Sequence, residues 1–296
     1  MHIEWHGAAL LAQARRLCKG REAMGDSNSM PRVRLIGLPT DSHSSFLRGA
    51  ATAPPVIRAA LASDHGNMAA ECGLEIGVDI GLEDAGDLPL DESHADIARI
   101  SGAAEQAARD AVVPLFLGGD HMVSFPIVAG LAAVHGPLDI LHFDAHPDLY
   151  DDFEGDPHSH ASPFARIMEA GHARRLVQVG IRTLNRHCRE QAARFGVEVV
   201  EMRHFRADAV PIPEGPLYIS IDLDGLDPAC APGVSHHEPG GLTTRDLLSV
   251  LQRVTGPVVG ADIVEYNPDR DINGMTATLA AKLVKEVAAL AGKGDR

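Results

Sequence analysis

Apolar and polar positions alternate along this chain in two rhythms. Short, nearly unbroken apolar runs recur at residues 32–38, 75–81, 112–117, 138–143, 176–181, 197–201, 217–221 and 258–264. Runs of this length, bounded by polar turns, predict strands covered on both faces. Between them lie segments whose apolar residues recur at about every 3.6 positions: 93–111, 123–134, 162–170, 186–195, 243–254 and 275–290. These predict helices. Thr243 and Asp246 stand at the spacing of a capping box for one of them.

Strand and helix alternate from Pro31 onward, which predicts an α/β fold with a mainly parallel sheet and helices on both faces. No repeat, low-complexity tract or linker divides residues 31–296, so they read as a single domain. Residues 1–30 read as a poorly specified N-terminal leader, and Met30 is a candidate start. In sheets of this kind ligands bind beyond the C-terminal ends of the strands. Polar residues at those ends are therefore the ones to examine.

Composition narrows the partners. The chain of 296 residues has 26 Lys and Arg against 41 Asp and Glu, a formal charge of −15. That excess opposes nucleic acid as a partner, because phosphate binding needs clustered cations, and no such cluster is present. No apolar run approaches the roughly 18–20 residues of a membrane span. Cys18, Cys72, Cys188 and Cys230 form neither a C-x-x-C pair nor a regular framework. Free thiols, and an N-terminus without the basic-then-apolar order of a secretory signal, predict a cytoplasmic protein.

Four polar clusters stand at strand ends: Gly118-Gly119-Asp120-His121, Asp144-Ala145-His146-Pro147-Asp148, Asp222-Leu223-Asp224 and, where the last strand runs out, Asp262-Ile263-Val264-Glu265. Asp144, His146 and Asp148 stand two apart, as do Asp222 and Asp224. On extended backbone, residues two apart share a direction. Carboxylates gathered so closely repel one another and raise each other's pKa, a conflict that divalent cations remove. The donors are oxygen and imidazole without thiolate, which favours Mn²⁺ or a related metal over structural zinc. Four carboxylates with His121 and His146 suit two cations better than one, and such a pair can acidify a shared water.

With these motifs the chain resembles the ureohydrolases, that is, arginases, agmatinases and related amidinohydrolases. The similarity runs from Pro31 to the end and includes Phe46-Leu47-Arg48-Gly49-Ala50 and the loop APGVSHHEPGG at 231–241. The stretch 150–169 is similar to plant arginases and their bacterial relatives. The resemblance implies a three-layer α/β/α fold and two Mn²⁺ per chain, with Ni²⁺ or Co²⁺ as alternatives. By motif, His121 and Asp148 would bind one metal, His146 and Asp224 the other, and Asp144 and Asp222 both. A hydroxide held by the ions, and by Asp148, would attack the guanidinium carbon. Glu265 would pair with the guanidinium of a small cationic substrate, since a carboxylate accepts two hydrogen bonds from that fork. His160 would pass a proton to the leaving amine. A homo-oligomer, trimer or hexamer, is also implied.

The remaining histidines and the substrate are less constrained. The motif register favours His160 over His158. His142 would point away from Asp144 and serve packing or a supporting role. His236 and His237 lie in a loop near the site, as supporting residues or surface ones. Asp120 and Asp227 read as turn acceptors, and Asp262 as a possible orienter of a ligating imidazole. Tyr150, and the absence of carboxylates after Gly180-Ile181-Arg182, depart from animal-type arginases. This tilts the expectation toward agmatine, with arginine next and other guanidino compounds (guanidinobutyrate, guanidinopropionate, guanidine) behind. Two other classes compete: a single-zinc deacetylase of similar architecture, and a non-catalytic metal-binding protein. The complete six-residue set and His160 speak against both.

Overall fold

A computed structural model describes residues 30–64 and 66–292. The expected leader falls outside the described residues apart from Met30. Eight strands form one sheet: β1 (Arg32–Gly37), β2 (Gly81–Asp87), β3 (Val113–Leu117), β4 (Leu138–Phe143), β5 (Ala173–Ile181), β6 (Glu198–Glu201), β7 (Leu217–Asp222) and β8 (Val258–Val264). Their order is β2-β1-β3-β8-β7-β4-β5-β6, and every neighbouring pair is parallel.

Successive side chains on a strand point to opposite faces, and each face feeds its own core. Leu115, Leu117, Ile219 and Ile221 belong to one cluster, with Ile57 of α1 (Ala53–Leu61), Leu248 of α6 (Thr244–Leu251) and Leu283 of α7 (Met275–Ala291). Phe116 and Tyr218 belong to the other, with Ile100 of α2 (Ala95–Arg109), Ile127 of α3 (Ser124–His135), Phe164 of α4 (Pro163–Glu169) and Ala192 of α5 (Arg186–Phe195). The result is the expected three-layer α/β/α sandwich. Thr243 caps α6 as its spacing predicts: its hydroxyl accepts from Asp246 N, and Asp246 accepts from Thr243 N at 3.0 Å.

Two elements differ from the pattern. The second strand is not 75–81 but Gly81–Asp87, and Glu75 and Ile76 make only isolated bridges. The true β2 is a polar edge strand, held by its ladder to β1 and by ion pairs such as Arg34–Glu83 and Arg58–Asp84, so it has no apolar signature. Helix α1 is absent from the reading because Pro54 and Pro55 mask its start; prolines are tolerated in a first turn, where the N–H groups lack partners anyway.

Candidate active site

The strand order brings the four motif-bearing strands together. β3, β8, β7 and β4 are consecutive at the centre of the sheet, so all four polar clusters emerge side by side at one edge. Two glycines let the turns pack tightly enough. A Cβ on Gly119 would lie 1.7 Å from the Thr40 carbonyl oxygen, and one on Gly225 would lie 2.8 Å from Asp144 N.

The structure brings His121, Asp144, His146, Asp148, Asp222 and Asp224 into two adjoining groups. Around His121 Nδ1 stand Asp144 Oδ2 at 3.2 Å, Asp148 Oδ2 at 3.0 Å and Asp222 Oδ2 at 3.2 Å. Around His146 Nδ1 stand Asp224 Oδ2 at 3.1 Å and Asp144 Oδ1 at 3.4 Å. Asp144 thus turns one oxygen to each histidine. The convergence does not come from strand alternation, as the spacing implied. β4 ends at Phe143, and the chain bends there, with Asp144 Oδ1 accepting from His146 N at 2.6 Å and Asp148 at φ +48°.

The donor chemistry fits cations. Ser220 Oγ donates to Asp262 Oδ1 at 2.8 Å, so its lone pair must accept the Nε2 proton of His121, 2.9 Å away. That leaves His121 Nδ1 for the carboxylate side, where it is buried and has no partner in hydrogen-bond geometry. An orphaned ring nitrogen facing three carboxylate oxygens is the arrangement a metal ion satisfies. Asp262 therefore supports His121 through Ser220, while also accepting from Ser124 Oγ at 2.5 Å and from Tyr218 OH. Without cations the charges are frustrated. Burial, then the neighbouring Asp224 and Asp144, pushes Asp222 well up; burial opposes charge on His121, but Asp144, Asp148 and Asp222 raise it well above the ordinary range.

Beside these groups opens a cavity of about 260 Å³, lined by His146, Asp148, Asp222, Asp224, His160 and Glu265 together with Ser45, Tyr150, Thr183, His236 and Glu238. Glu265 is 4% exposed and sits at φ +62°. Left-handed backbone is strained for such a residue and is found at functional sites. Its Oε1 accepts from His121 N at 2.9 Å and from His160 Nδ1 at 2.8 Å. No described residue hydrogen-bonds Oε2. His160 Nε2 accepts from Ser45 N at 3.1 Å and lies 2.8 Å from Ser45 Oγ. Burial disfavours charge on His160, but Glu265 outweighs it and raises the imidazole to about 9. Burial and Glu265 together push Asp120 up to about 7.

The other histidines separate clearly. His158 stacks on Phe125, with ring centroids 6.0 Å apart, and does not line the cavity. His236 lies 5.3 Å from the His160 ring and 5.8 Å from the His146 ring, whereas His237 Nε2 donates to Pro232 O at 2.7 Å. His142 does not point away from Asp144: its Nε2 lies 2.8 Å from Asp144 Oδ2. Asp120 and Asp227 do accept from turn amides, Met122 N at 3.2 Å and Gly240 N at 2.7 Å among them. Sequence reasoning passed over Ser45, Ser220 and Gln178, since a lone serine or glutamine beside an apolar run has no signature. The Phe46–Ala50 motif explains how Ser45 is placed. Asp41 accepts from Gly49 N at 2.6 Å and Arg48 Nε at 2.6 Å, and Asn267 Nδ2 donates to Arg48 O at 3.2 Å.

The arginase family model matches residues 31–289. Mitochondrial arginase 1 of Arabidopsis thaliana is 50% identical over 276 residues, covering 88% of this chain and 81% of its own. Mitochondrial agmatinase of Gallus gallus is 34% identical over 272 residues, covering 85% and 78%. The solved structure of arginase from Medicago truncatula superposes with a TM-score of 0.85 at 45% identity, over 96% of this chain and 95% of its own. The two curated relatives are named mitochondrial, which overturns the expectation of a cytoplasmic protein. The thiol argument failed because reduced cysteines report a reducing compartment, and the cytoplasm is only one such compartment. By its matched sequence and its fold, the chain belongs to the arginase family and is a hydrolase of guanidino C–N bonds.

Proposed function

We propose that the chain is an arginase, converting L-arginine and water to L-ornithine and urea at a binuclear manganese site within residues 31–296. The observation that carries this is the 50% identity to a plant arginase against 34% to an agmatinase over nearly the same span. It replaces agmatine, the substrate first expected. Tyr150 and the missing carboxylates after Arg182 exclude only the animal-type pocket, not arginine itself. The cavity wall also offers a donor in the Tyr150 hydroxyl, which itself accepts from Asn185 Nδ2, and an acceptor in the carboxylate of Glu238, for an α-carboxylate and an α-ammonium.

His121 and Asp148 would hold one cation, His146 and Asp224 the other, and Asp144 and Asp222 both. Bound there, the two cations would supply a hydroxide at neutral pH. The free Oε2 of Glu265 accepts N–H from the substrate's guanidinium and aligns its plane. His160, paired through Nδ1 with Glu265, is held as a proton donor for the departing amine nitrogen when the C–N bond breaks. Ser45 steadies its other nitrogen. A homo-oligomer is part of the same proposal and is checked by light scattering. The deciding assay is urea release with Mn²⁺ from arginine, agmatine, guanidinobutyrate and guanidine. Arginine should have the highest kcat/KM; agmatine equal to it or better overturns the assignment.

A further inference from the structure

We propose that Gln178 and His142 form a positioning relay that orients Asp144, the carboxylate shared by the two histidine groups. The inference rests on the metal-site reading above. β4 and β5 are neighbours, and their register sets His142 opposite Gln178. Gln178 Nε2 lies 2.6 Å from Pro147 O and 3.1 Å from His142 Nδ1. A carbonyl oxygen can only accept, so the amide is oriented with its NH2 group toward Pro147. The second N–H of that group then points at His142 Nδ1, which must accept. The His142 proton therefore sits on Nε2 and is donated to Asp144 Oδ2 at 2.8 Å.

Three further features fit a built device rather than a packing accident. His142, Gln178 and Asp144 are each 0% exposed, so no water competes for these bonds. The imidazole is clamped against Phe164, with centroids 3.9 Å apart and planes at 27°. Gln178 Oε1 is buried without a partner, so the amide forgoes one hydrogen bond to place its NH2 group. With His146 N donating to Oδ1, both oxygens of Asp144 are held from the protein side. The same amide ties the Pro147 carbonyl, and with it the loop bearing His146 and Asp148. Carboxylate orientation is thus set before any cation arrives, the usual work of groups behind metal ligands.

The test is Mn²⁺ affinity of the metal-stripped protein, measured by competition with a chelating dye, alongside circular dichroism to verify folding. His142→Phe keeps the ring against Phe164 and removes the donor; affinity should fall about 10–100-fold. His142→Gln carries an amide N–H to the same reach and should recover to within roughly threefold of wild type. A purely packing role predicts the reverse order. Wild-type affinity in His142→Phe, or no recovery in His142→Gln, overturns the relay. Should His142→Phe not fold, Gln178→Leu decides: a loss of about threefold or more is expected, and unchanged affinity overturns the relay. A wild-type chain that holds no manganese refutes the metal-site reading instead.

Discussion

Replacing Glu265 by glutamine removes one negative charge from the cavity wall and changes the shape hardly at all. The amide oxygen can still accept from His121 N, the contact that ties Glu265 to the β3 turn. What disappears is the charge beside Oε2, the oxygen left free for a guanidinium; with the amide oxygen kept on His121 N, the NH2 group takes that place and opposes the substrate's own donors. Glu265 is 4% exposed, so the lost attraction is that of a buried, charge-assisted pair. Truncating one partner of such a pair costs about 3–5 kcal/mol. At 1.36 kcal/mol per decade, kcat/KM for arginine should fall about 10²–10⁴-fold. Metal content should stay near wild type, because Glu265 touches the backbone of His121 and not its imidazole. Urea release under saturating Mn²⁺, with metal counted by mass spectrometry, measures both. A variant with kcat/KM within roughly threefold of wild type would refute the pairing.

His160→Ala should lose at least about 10²-fold in kcat, as expected for a proton donor, whereas His158→Ala should stay within a few-fold; the opposite ranking means the loop is misassigned. Arg182 donates to the carbonyls of Gly180, Asp224, Gly225, Leu226 and Glu238, binding the β5 exit to the Asp224 turn and the 231–241 loop. Arg182→Ala should cost about 3 kcal/mol, or roughly 6–12 °C in Tm, and a shift under about 2 °C would show that the carbonyls rehydrate freely. His160 is raised to about 9 by Glu265, against an ordinary value of ~6.5. A raised histidine stabilises fully below ~6.5 and loses that contribution as pH climbs through about 9, here up to about 3 kcal/mol. Metal-free wild type should therefore lose stability relative to His160→Gln between those values, and a gap constant with pH would contradict the ion pair.

The sheet's existence, seven of its strands and the six clustered donors were legible from sequence, because continuous apolar runs and closely spaced carboxylates are local signals. The polar edge strand β2 and the proline-headed α1 were not, since neither buries enough apolar surface in a regular rhythm. The proposed change from agmatine to arginine also rests on more than a local signal: Tyr150 is a single position, whereas the 50% identity to a plant arginase is spread over 276 residues. Residue types and their spacing along the chain determined which donors are available and that they gather at strand ends. Only the tertiary structure decided how they meet. The β3-β8-β7-β4 order aligned four separate motifs, a bend after Phe143 turned Asp144 toward both histidines, and His142 was swung onto Asp144 rather than away from it. Hydrogen-bond direction decided the last of these: the Pro147 carbonyl, distant from Gln178 in sequence and adjacent in space, sets which ring nitrogen of His142 carries its proton.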